Sequence, residues 1–103
     1  MKEKWLLLSL IGFLISCSKQ ESMDALTARV FTVAEQQYLT MDTRLEVTTL
    51  PQSIASDSTF KSSTIYWWCS GFYPDSLWYI YEYTQNEAVK TLAEKNTLKL
   101  DPI

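Results

Sequence analysis

This chain of 103 residues has no histidine, only two glycines, three prolines and two cysteines. The first cysteine, Cys17, directly follows an apolar leader and is read below as lipidated. A metal site would then have only carboxylates and one thiol to draw on, so no metal is expected. With Cys69 alone in the rest of the chain, no intramolecular disulfide staples the fold. Basic residues are also few, nine Lys and Arg against twelve Asp and Glu. That balance supplies no electrostatic footprint for nucleic acid. No strong internal repeat is present, and low complexity is confined to one Ser/Thr-rich connection.

What is present begins with a short basic head, Lys2 and Lys4, followed by the uncharged run "WLLLSLIGFLIS", Trp5 to Ser16. Its 12 residues fall short of the roughly 20 a helix needs to cross a bilayer. The run reads as the apolar region of a signal peptide. It closes on Leu14-Ile15-Ser16-Cys17, which resembles the lipobox of bacterial lipoproteins, and the polar "SKQES" follows. The resemblance implies cleavage before Cys17, lipidation of its thiol and an exported protein anchored to a membrane, in the periplasm or at the cell surface. Each buried CH₂ contributes about 0.8 kcal/mol, so two or three acyl chains would hold it there stably. An ordinary secretory signal ending near a cysteine is the alternative. Residues 1–16 are thus a leader, 17–23 a polar tether and 24–103 the folded part. The 87 residues left after cleavage suffice for one small domain, which buries only about 60–65% of its unfolded surface.

From Asp24 onward, Leu26, Val30, Val33, Ala34, Tyr38, Met41 and Leu45 recur at spacings of three and four. This is the period of an amphipathic helix of about twenty residues. Ser22 or Asp24 can cap its start, and Thr48, Thr49 and Pro51 end it. Residues 51–65, "PQSIASDSTFKSSTI", lack helical period and read as an extended loop. A loop longer than about 12–15 residues is uncommon in a compact domain. A second helix starts near Pro74, whose missing N–H suits the first helical turn, and runs to about Thr84. A third follows Asn86 as its cap, through Val89, Leu92 and Ala93. Their short joint makes the pair an antiparallel hairpin. The expected fold is all-α.

The stretch "YWWCSGFYPDSLWYIYEYT", Tyr66 to Thr84, holds nine of the fourteen aromatic residues. On the second helix Leu77, Trp78, Ile80, Tyr81 and Tyr83 spread around the whole circumference at 100° per residue. A helix apolar all round belongs where it has neighbours on every side. One long and one short amphipathic helix cover about half of it. Two aromatic side chains left exposed forfeit several kcal/mol at about 25 cal/mol per Å², a sum comparable with the stability of a small domain. The pattern therefore points to further partner surface.

The same residues resemble the N-terminal signature of unsaturated glucuronyl hydrolases, glycoside hydrolase family 88. In that family a Trp-x-Ser-Gly-Phe segment leads into Pro-Gly-x-Leu-Trp and Tyr-Glu-Tyr-Thr. The matching positions are Trp68, Ser70, Gly71, Phe72, Pro74, Leu77, Trp78, Tyr81, Glu82, Tyr83 and Thr84. The preceding helix and loop and the closing "LAEKNTLKLDPI" fit the same pattern, so the likeness covers nearly all of the folded part. Asp75 departs from the family's Gly, and Cys69 from its common Thr.

The resemblance implies an (α/α)₆ barrel, of which residues 24–103 would be the N-terminal helices. It also implies a hydrolase acting on oligosaccharides that polysaccharide lyases leave with a 4,5-unsaturated uronic acid at the non-reducing end. An Asp protonates the double bond and activates the water that adds across it, and the hydrated product opens and releases the sugar; no cofactor is needed. The family's first catalytic Asp lies in a His-Asp-x-Gly-Phe motif, which this chain, without histidine, does not contain. That motif is expected beyond Ile103, so the chain alone is expected to be an inactive N-terminal fragment. Local carboxylates do not substitute. Asp75 and Glu82 share a helix face at about 10.5 Å of rise, beyond the roughly 6.5–9.5 Å of an inverting pair. Asp75 complements the helix macrodipole, Glu82 ties the helix to a neighbour, Cys69 is a small buried hydrophobe, and Gly71 permits a close turn. The resemblance assigns substrate binding to Trp68, stacked on the sugar ring. Two other functions fit the residues: a non-catalytic helical lipoprotein binding glycans through residues 66–83, and part of an unsaturated rhamnogalacturonyl hydrolase.

Overall fold

A computed structural model describes residues 18–102 together with Lys2. The leader and Cys17 lie outside the described residues. Helix α1 spans Met23–Asp42, strands β1 and β2 span Thr49–Ile54 and Phe60–Thr64, and helices α2 and α3 span Phe72–Thr84 and Glu87–Leu98. Among the described residues no helix is long and apolar enough to cross a membrane.

Ser22 starts α1 by accepting a hydrogen bond from the Ala25 N–H at 3.2 Å, with Asp24 in the first turn. The helix stops at Asp42, short of Leu45, because the Thr43, Arg44 and Leu45 N–H groups turn back to the carbonyls of Thr40, Met41 and Asp42. Leu45 nevertheless packs against the core. Between α2 and α3, Gln85 takes the left-handed conformation (φ 55°) and its N–H closes on the Tyr81 carbonyl at 2.7 Å. Asn86 then caps α3 by accepting from the Ala88 N–H at 2.9 Å, while its amide donates to Glu35 of α1 at 2.6 Å.

The expectation of an all-α chain, and with it the placement of residues 24–103 as helices of an (α/α)₆ barrel, is overturned by the two-stranded antiparallel sheet. Residues assigned to an extended loop pair in register: Thr49 with Thr64, Leu50 with Ser63 and Pro51 with Ser62. Gln52 is then passed over, and Ser53 pairs with Lys61 and Ile54 with Phe60. The irregularity follows Pro51, which has no N–H to give to a ladder and is tolerated at bulges and edges. The turn closes with Ala55 N–H on the Thr59 carbonyl and Asp57 accepting from the Thr59 N–H, while Ser58 adopts φ 66°. The protein is a mixed α/β domain.

Its core is small: Leu50 from the hairpin, Tyr73, Leu77 and Ile80 from α2, Val89 and Ala93 from α3. Phe31, Ala34, Tyr38, Leu39 and Met41 of α1 cover it from one side. Two aromatic stacks join α1 to α2, Phe31 on Tyr83 with ring centroids 4.1 Å apart and Tyr38 on Tyr73 at 5.4 Å. The ring of apolar residues around α2 is thus divided. Tyr73, Leu77 and Ile80 are buried, Trp78 and Tyr81 are half-buried, and Phe72, Tyr79 and Tyr83 remain exposed.

Candidate aromatic binding face

Between β2 and α2 the chain descends through consecutive tight turns. The Trp67 N–H bonds to the Thr64 carbonyl at 3.2 Å, Ser70 to Trp67 at 2.9 Å and Phe72 to Cys69 at 3.1 Å. These turns direct the two adjacent tryptophans apart. Trp67 is half-buried and lines a cleft floored by Tyr38, Met41 and Tyr73. Trp68, edge-on to it with centroids 6.4 Å apart, is 86% exposed. Burial is the usual fate of a large aromatic beside others, so this indole face is held out at the cost of the apolar contact it forgoes.

Trp68 forms one side of a shallow cavity of about 390 Å³ completed by Cys69, Gly71, Phe72 and Asp75. Gly71 lies in the close turn read from the sequence, but its backbone is in the ordinary helical region (φ −72°), so the turn does not require glycine there. A side chain added there would meet nothing within 4 Å. What its small size does is leave the cavity open beside the indole. Cys69 is half-buried at the partition between this cavity and the cleft behind it. Asp75 stands in the first turn of α2, where it complements the helix dipole. It is the cavity's one charged residue, so a sugar carboxylate finds no counter-charge on this wall, whereas sugar hydroxyls find an acceptor. Glu82 is exposed and makes no ion pair among the described residues, so it does not tie α2 to a neighbour.

A second constellation escaped the sequence reading. Asp42, 7% exposed at the end of α1, accepts from Asn96 Nδ2 at 2.8 Å, from the Tyr73 hydroxyl at 3.4 Å and from Lys95 Nζ. Burial, and then the Asp42 charge, push the Tyr73 phenol well above its ordinary range, so it stays a donor. Asn96 is fully buried, and its Oδ1 has no partner among the described residues. The available signal was its position: Val89, Ala93 and Asn96 fall on one face of α3, and an amide on a core face demands a partner. The cluster ties all three helices together and stands directly behind the Tyr73 ring that floors the Trp67 cleft. No group of three His, Cys, Asp or Glu among the described residues could hold a metal ion.

No protein-family model matches the chain, and comparison with curated proteins and with solved structures found no match.

Proposed function

We propose that Tyr66–Thr84 is the substrate-side wall of an unsaturated glucuronyl hydrolase held on a membrane by a lipidated Cys17. The reading rests on the likeness of residues 68–84 to that family. The observation that carries it is the exposed indole of Trp68 beside the open cavity at Gly71, Phe72 and Asp75. A flat apolar ring held in water suits the C–H face of a sugar and the planar 4,5-unsaturated ring. In this role Trp68 orients the uronate while Asp75 accepts a ring hydroxyl, leaving the carboxylate turned away from this wall. No residue of this sequence is assigned the role of the acid that protonates the double bond, since the His-Asp-x-Gly-Phe motif needs a histidine and this sequence has none.

A single wall binds weakly. Titrating the 103-residue chain with an unsaturated uronate disaccharide should shift the Trp68 indole N–H resonance with a Kd of about 1 mM, near −4 kcal/mol. The accompanying shift at the neighbouring Trp67 indole should vanish in Trp68→Ala, with thermal stability unchanged because the Trp68 side chain is already exposed. Ultraviolet absorbance of the double bond should persist throughout. Micromolar, Trp68-dependent binding would instead favour the stand-alone glycan-binding lipoprotein. No shift at any indole would remove Trp68 from both readings. Reading the gene past codon 103 for His-Asp-x-Gly-Phe separates the two enzymatic and non-enzymatic alternatives.

The anchor is tested separately. Expressed with its leader in a bacterium, the chain should incorporate labelled palmitate and sediment with membranes, and Cys17→Ser should do neither. Continued labelling of that variant would refute lipidation at Cys17.

A further inference from the structure

A second cavity shares no lining residue with the Trp68 face. It has a volume of about 540 Å³, within the roughly 300–1,000 Å³ typical of small-molecule sites. Its walls are apolar: Leu45 and Val47 from the connection after α1, Ile65 after β2, Leu98 and Pro102 at the end of α3. Val47 is 85% exposed and Leu98 69% exposed, so the apolar surface is presented rather than packed.

Two ammonium groups stand on the same cavity, Lys95 in the last turn of α3 and Lys99 capping its C-terminal end. Lys99 Nζ donates to the carbonyls of Glu46 at 3.2 Å and Thr49 at 3.0 Å. An ammonium has three N–H donors, so one remains. Lys95 spends one donor on Asp42 and is otherwise half-exposed. The backbone carbonyls hold the Lys99 charge in place without neutralising it. Glu46, also on the rim, makes no ion pair with either lysine among the described residues. Burial first, and then repulsion from Lys95, hold the Lys99 ammonium below the usual lysine range, against an opposing pull from the Asp42 carboxylate that pairs with Lys95. An anion received on Lys99 would take its unused donor.

From the juxtaposition of one ammonium without a carboxylate partner, Lys99, and an open apolar trough we infer a binding site for a single-chain amphiphile with a carboxylate head, a free fatty acid. The carboxylate lies on Lys99 with Lys95 beside it, and the alkyl chain runs over Leu45, Val47, Ile65 and Leu98. The head-group assignment rests on charge complementarity. A hydrogen bond to a charged group contributes about 1.5–3 kcal/mol, whereas an alcohol head could contribute only the smaller neutral bond.

The test is calorimetric titration of residues 17–103 carrying Cys17→Ser, so that neither the apolar leader nor an acyl anchor competes, with dodecanoate kept below its micellar concentration. Dodecanoate should bind saturably at one site, and dodecanol about tenfold more weakly. Lys99→Met should reduce dodecanoate to the affinity of dodecanol and leave dodecanol unchanged. Val47→Glu, at a position too exposed to unfold the chain, should abolish binding of dodecanoate. Equal affinity for acid and alcohol, no effect of Val47→Glu, or binding to anionic vesicles without binding to free dodecanoate would each overturn the site.

Discussion

Replacing Leu77 with Ala should cost the folded state about 3–5 kcal/mol, enough to remove most of the stability of a domain this small. Leu77 is fully buried at the middle of α2, in a cluster with Tyr73 and Ile80 on its own helix, Val89 and Ala93 on α3 and Leu50 on the hairpin. Its loss leaves a cavity that the stacked pairs Tyr38–Tyr73 and Phe31–Tyr83 cannot collapse into without giving up their geometry. The expected result is a variant that keeps helical far-UV circular dichroism but loses its near-UV signal and its cooperative urea transition. Leu98→Ala on the exposed end of α3 should change the midpoint little. If Leu77→Ala costs under about 1 kcal/mol, α2 does not contribute the core residues described above.

Asp42→Ala should be the next most damaging substitution, at about 2–3 kcal/mol. The ion pair with Lys95 is a small part of that figure. The Lys95 side chain is half-exposed and regains water when its partner is gone, so the pair contributes at most about 1 kcal/mol. The larger loss falls on donors that cannot reach solvent. Asn96 keeps only its bond to the Leu92 carbonyl, while the single Tyr73 hydroxyl proton, 3.4 Å from either acceptor, is left with the Tyr38 carbonyl alone. Asp42→Asn, which removes the ion pair but keeps an oxygen acceptor for Asn96 and Tyr73, is the control and should cost about 1 kcal/mol in the same urea titration. Equal costs for the two variants would mean that charge pairing, rather than hydrogen bonding to Asn96 and Tyr73, holds α1 against α3.

The helices were legible because their signals are local. Ser22 and Asn86 cap where short oxygen-bearing side chains precede an apolar period, and Gln85-Asn86 marks the joint of the helical hairpin. Pro74 reads as the start of α2 although the helix begins at Phe72, because any position in the first turn tolerates a missing N–H. The β-hairpin was not legible for equally physical reasons. Its strands show no clean alternation, since a two-stranded ribbon with one buried residue, Leu50, has little inner face to pattern. Its turn places Ser58 at positive φ, where Asn-Gly would have announced a hairpin. Pro51, a strong argument against a strand, sits beside the bulge where its missing N–H does no harm. Of the aromatic face, Trp68 was singled out by likeness to a family segment, and its binding role is the proposal made above. The exposure of Trp68 was not legible, because that depends on the turns from Thr64 to Phe72 facing away from a core whose third wall is the hairpin itself.

The hairpin also changes how far apart the two halves of the domain are along the chain. Helix α1 must find α2 and α3 across the whole connection from Thr43 to Gly71, and Asp42 must find Asn96 across 54 positions. Pairing of Thr49 with Thr64 pinches that connection into two short arms. Closure entropy grows with the logarithm of loop length, so each halving of the free segment lowers its cost by roughly 0.6 kcal/mol. A ribbon that buries a single leucine thereby acts as a tether-shortener: its strands are near neighbours in sequence, and with them paired only two short arms separate the ends of α1 and α2.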